Sequence, residues 1–93
     1  MAYELEIDDD HRRQGWKVKI RDNERVEPPH VSIIRGTRTW RFGLRDLRFL
    51  DVDPPAREVP AGLITLVRAR IAILRAAWDR MYAGNPIGGK RAE

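Results

Sequence analysis

From residue 60 to residue 82 the chain carries one continuous amphipathic pattern, and that pattern constrains the rest of the fold. Leu63, Val67, Ile71, Leu74, Trp78 and Met81 recur at spacings of three and four. This period puts them on one face of a helix. Pro60 suits the first helical position, and Gly84 followed by Asn85-Pro86 stops the helix. The expected helix, 60–82, is a rod of roughly 33 Å. Its apolar face must be buried against a second layer.

The N-terminal half supplies strands for that layer. Tyr3, Leu5 and Ile7 alternate with Glu4 and Glu6, which predicts a half-buried strand over 3–7. Trp16, Val18 and Ile20 alternate with Lys17, Lys19 and Arg21, predicting a second over 16–21. Paired, the two would set glutamates opposite lysines. Pro28-Pro29 forbids a helix at that point and opens a third strand over 30–34. Arg35-Gly36-Thr37 reads as a hairpin turn into a fourth strand over 38–44, whose Trp40, Phe42 and Leu44 share one face. Asp8–Gly15 and Asp22–Pro29 read as loops. Leu44, Leu47 and Leu50 fit a short helical turn, and 51–62 is a proline-rich connector. The predicted class is α+β: about four antiparallel strands packed against one long C-terminal helix, in a single domain of 93 residues with a flexible tail over 85–93.

One residue disagrees with the helix. At 100° per residue Arg70 falls inside the apolar arc, and an unpaired buried arginine is very costly. Its stem can lie on apolar surface with the head in water, it can pair with Asp46 or Asp51, or it can meet a partner. Leu66 and Ile73 widen the arc beyond what a small sheet must cover. Together with Arg70 they form a candidate interface, and a homodimer through the helix is expected.

The formal net charge is +4, with 18 Lys+Arg against 14 Asp+Glu. Residues 1–15 hold five acidic and two basic residues, so the basic excess lies beyond them. Lysine occurs only at 17, 19 and 90; the rest is arginine, which binds phosphate or carboxylate bidentately. The same bias is what GC-rich coding would give. Arg35, Arg38, Arg41, Arg45 and Arg48 form a basic segment interleaved with Trp40 and Phe42. Exposed, those rings would be a stacking platform for single-stranded nucleic acid; on the inward strand face they are core, and the arginines alone would reach phosphates or a partner.

Specific chemistry is sparse. There are no cysteines, which excludes disulfides, thiolate catalysis and cysteine-based zinc sites. No phosphate-binding glycine loop, HExxH or GxSxG is present. Asp8-Asp9-Asp10-His11 reads as a solvated loop, with a weak divalent-cation site as the alternative; no metal and no cofactor is expected. His30 is the one candidate catalytic group, as general acid or base beside the arginines. The only serine, Ser32, sits two residues away on the same strand face.

Pro28-Pro29-His30, the Arg35-Gly36 turn, Trp40, Leu44 and a late helical Trp78 resemble the small bacterial domain of unknown function 4160 family across about residues 15–83. Ser32 stands where that family usually carries a second histidine, so any histidine-pair chemistry of the family is not implied here. The resemblance implies a bacterial, toxin–antitoxin-like binding module acting through protein–protein contacts, with nucleic-acid contact by a basic surface. A ribonuclease-like toxin using His30 with nearby arginines is the enzymatic alternative. A homo-oligomeric structural protein is the third. No apolar run approaches the length of a membrane span, and a cytoplasmic protein is expected.

Overall fold

Alternation becomes a sheet as the sequence predicts. The structure, a computed structural model, describes residues 2–22 and 28–88. Four strands, β1 (Tyr3–Leu5), β2 (Trp16–Ile20), β3 (His30–Arg35) and β4 (Arg38–Gly43), form one antiparallel sheet in the order β1-β2-β3-β4. Glu4 lies opposite Lys19, the cross-strand charge pair read from the sequence. Arg35 opposes Arg38, leaving Gly36-Thr37 as a two-residue hairpin loop. Gly36 has φ +61°, which a glycine adopts without a Cβ penalty.

The register places Val18, Ile33 and Trp40 side by side, all buried, and sets Val31 against Phe42. This face shares one core with Val59, Leu63, Val67, Leu74, Ala77 and Trp78. The fold is therefore α+β, a four-stranded sheet closed by C-terminal helices.

The expected single helix is two, α2 (Ala61–Ala69) and α3 (Ile71–Met81), preceded in the chain by a short α1 (Asp9–Arg13). Arg70 separates them with φ −105° and ψ 17°, outside the helical range. In a straight rod Arg70 would project between Val67 and Leu74, both fully buried. The interruption leaves Arg70 exposed instead, and avoids burying an unpaired charge. It is not paired with Asp51, which binds Arg41.

Asp8–Gly15, expected as a loop, contains α1 (Asp9–Arg13). Asp8 caps it: its carboxylate accepts from the His11 backbone N–H at 3.1 Å and contacts His11 Nδ1 at 2.7 Å. His11 holds the Asp8 carboxyl below its ordinary pKa. Asp9 and Asp10 pair one turn on with Arg12 and Arg13.

Where Leu44, Leu47 and Leu50 fit a helical turn that Phe49 and Val52 blur, no helix forms. Leu47 takes φ 60° and the chain doubles back on β4. Gly43 N–H donates to the Arg48 carbonyl at 2.7 Å, Leu50 N–H donates to Arg41 at 2.9 Å, and Phe49 bridges Phe42. These bonds satisfy the outer edge of β4, which a helical turn would leave open. Arg75 clamps α3 to this segment by donating to the Leu44 carbonyl at 2.6 Å and to Arg45 at 3.2 Å.

Of the tail expected to be flexible, 85–88 is anchored. Trp78 Nε1 donates to the Asn85 carbonyl at 2.7 Å, and the Ile87 N–H donates to Asp79 at 2.8 Å. Residues 89–93 of that tail, and 23–27 of the loop expected over 22–29, lie outside the described residues.

Candidate functional site

His30 opens β3 and is 1% exposed. Its Nδ1 lies 2.9 Å from the Pro28 carbonyl, which can only accept, so Nδ1 donates. The ring packs on Trp78 with centroids 5.7 Å apart. Trp78 is fully buried and stacks on Tyr82 at 4.2 Å, and the Tyr82 hydroxyl donates to the Arg21 carbonyl. The Pro-Pro-His run thus builds a plug between the start of β3 and the end of α3. A general acid or base must touch the proton it moves. This imidazole is closed to a substrate, and the placement favours a structural role. Ser32 is 1% exposed as well.

The five arginines do not form one patch. Arg41 makes a bidentate pair with Asp51, with contacts of 2.7 and 2.6 Å. That hydrogen-bonded guanidinium holds the Asp51 carboxyl below its ordinary pKa, against the opposite effect of burial. Arg45 is spent on the C-terminal segment, donating to Ile87 at 2.9 Å and Pro86 at 2.8 Å. Arg48 is exposed. Arg35 and Arg38 alone come together, at the hairpin end. Arg35 lies 5.5 Å over Trp16 and donates to Gln14, while Arg38 lies 5.3 Å over Trp40 and pairs with Glu58 at 2.6 Å. They rim a cleft of about 320 Å³. Trp40 and Phe42 are 3% and 1% exposed, so they are core and not a stacking platform.

A different convergence links the two layers. Leu66, Arg70 and Ile73, on α2, at the break and on α3, meet Tyr3, Leu5 and Ile7 across a cleft of about 530 Å³ that Glu6 and Asp8 also line. Ile73 is 50% exposed there. Strand β1 forms this wall and is an outer strand of the sheet. The edge of β4 is covered by residues 48–50; the far edge of β1 has no strand partner among the described residues. Helix periodicity picked out Leu66, Arg70 and Ile73 but missed Tyr3, Leu5 and Ile7. Their alternation announced a strand, and only strand order shows that it is an edge. Arg70 has no ion-pair partner among the described residues.

Among the described residues no group of three or more His, Cys, Asp or Glu side chains is placed to hold a metal ion, and no helix is long and apolar enough to cross a membrane. Comparison with family models, curated proteins and solved structures finds no match to this chain. The family resemblance therefore rests on its motifs alone.

Proposed function

We propose that this chain is a non-catalytic protein-binding module that takes a different protein at the open edge of β1. The observation that carries the reading is the cleft of about 530 Å³ between that edge and Leu66, Arg70 and Ile73. An unpaired strand edge beside a groove lined by both apolar and charged side chains offers main-chain hydrogen bonds for affinity and side-chain pockets for selection. The toxin–antitoxin setting comes from the resemblance and is kept as the setting of this proposal. Burial of His30 weighs against the ribonuclease alternative. The tying of Arg41 and Arg45 within the fold weighs against a broad nucleic-acid surface.

Photo-crosslinking tests it. A photoreactive residue replaces Ile73, or Arg48 as a control, in the full chain expressed in its natural host. A discrete crosslinked protein from position 73 and not from position 48 is the expected result. Crosslinks only to nucleic acid, only to a second copy, or to nothing specific overturn the proposal.

A further inference from the structure

The register and charges of β1 specify what kind of chain can pair with it. On its inner side β1 is matched to β2: Glu4 lies opposite Lys19, Leu5 opposite Val18 and Tyr3 opposite Ile20. Apolar residues of the pair face the core and charged residues face outward, with opposite signs. The outer side of β1 presents the same alternation to whatever comes next. Glu4 is exposed on the outward face and Leu5 is buried on the helix side; beyond the strand, Ile7 is buried and the exposed Glu6 lines the cleft.

A second copy of this chain fits that edge poorly. Antiparallel self-pairing centred on Glu4, the middle residue of β1, sets Glu4 against itself. Like charges directly opposite destabilise a strand pair, and acidic side chains on an edge are a known guard against such pairing. A cationic strand meets the opposite situation.

The cleft fixes the phase of the incoming strand. Its wall includes Leu5, Ile7, Leu66 and Ile73, and Glu6, Asp8 and Arg70 line it too. A valine- or isoleucine-sized side chain pointing inward would lie against Leu66 and Ile73. Apolar residues are therefore selected on the inward positions, and cations on the outward positions beside Glu4.

We infer that the partner segment is an extended strand alternating basic and apolar residues, which adds to the β1 edge as a fifth strand with its cations beside Glu4. This inference rests on the binding-module reading and narrows it to a partner chemistry. The pattern is that of Lys17-Val18-Lys19-Ile20, the stretch that already covers the inner side of β1.

The test uses two capped synthetic peptides, Lys-Val-Lys-Val-Lys-Val-Lys and Glu-Val-Glu-Val-Glu-Val-Glu, titrated into the ¹⁵N-labelled full chain. The lysine peptide is expected to shift amides of residues 2–7 and 66–73 and to bind at least about tenfold more tightly than the glutamate peptide. Raising salt from about 50 mM to about 500 mM should shrink that preference, because the outward charges are exposed. The Glu4→Gln variant, altered at an exposed strand position, should lose most of the preference and keep its folded spectrum. Equal binding of the two peptides, or shifts that avoid β1, overturns the inference. So do concentration-dependent shifts at β1 without peptide, which would mean self-pairing. A crosslinked partner from position 73 without any lysine-peptide preference overturns this inference and leaves the binding-module reading standing.

Discussion

Replacing His30 by alanine separates the structural role of this ring from a catalytic one, and the expected cost can be worked from its surroundings. The imidazole is 1% exposed, packs on Trp78 and donates one hydrogen bond to the Pro28 carbonyl. Loss of that bond costs about 0.5–1.5 kcal/mol. Truncating a buried ring of this size adds a transfer and cavity cost of about 1.5–3 kcal/mol. The sum is about 2–4.5 kcal/mol. For a domain of this size that lowers Tm by about 10–35 °C. Urea unfolding, followed by tryptophan fluorescence because Trp78 reports on the same cluster, should show a lower midpoint at unchanged slope. Peptide binding at β1 should be unchanged in native conditions where the variant remains folded. A catalytic His30 on an accessible surface would behave the other way, with stability kept and turnover lost. A midpoint within about 0.5 kcal/mol of wild type would refute the buried packing from which the cost was derived.

Three further outcomes follow from the same geometry. The folded Asp51 carboxyl has a lowered pKa, so its pairing with Arg41 contributes fully above its unfolded value of about 3.9 and is lost as pH falls through the lower, folded one. Urea midpoints measured against pH should therefore be steady above about pH 5 and fall below about pH 4, and Asp51→Asn should flatten part of that fall while costing only about 0.5–1 kcal/mol at neutral pH, since the pair is partly solvated. Arg75→Met keeps the apolar stem but removes the donors to the Leu44 and Arg45 carbonyls, and should cost about 1–2 kcal/mol by thermal unfolding. Two glycine substitutions should differ in kind: Gly36→Ala meets no neighbour within 4 Å and costs about 1 kcal/mol through its positive φ alone, whereas a Cβ at Gly43 would lie 3.0 Å from the Arg48 carbonyl oxygen and should cost more, breaking the return of residues 48–50 onto β4. Amide exchange at Leu50, protected in wild type by its bond to Arg41, would rise in the Gly43 variant only.

Local periodicity was enough to determine the strands, the hairpin at Gly36, the inward face of Trp40 and Phe42 and the apolar stripe from Leu63 to Trp78. Each depends on residues two, three or four apart, and those spacings are fixed by backbone geometry. The charge pairing of Glu4 with Lys19 was also legible, because adjacent antiparallel strands bring their alternating faces together. What escaped were the outcomes of competition between distant parts. The break at Arg70 carries no glycine or proline; it reflects the cost of burying that charge under a core assembled by the sheet. The arginines of 35–48 looked like one patch in one dimension. Asp51, Glu58 and the carbonyls of 86 and 87 divided them among partners far along the chain. His30 could be read as reactive until Trp78, 48 positions later, closed over its ring. Strand order decided the candidate site in the same way: the pattern Tyr3-Glu4-Leu5 specifies a strand, but which side of it lies open depends on where β2, β3 and β4 stack, and on residues 48–50 returning to cover the opposite edge.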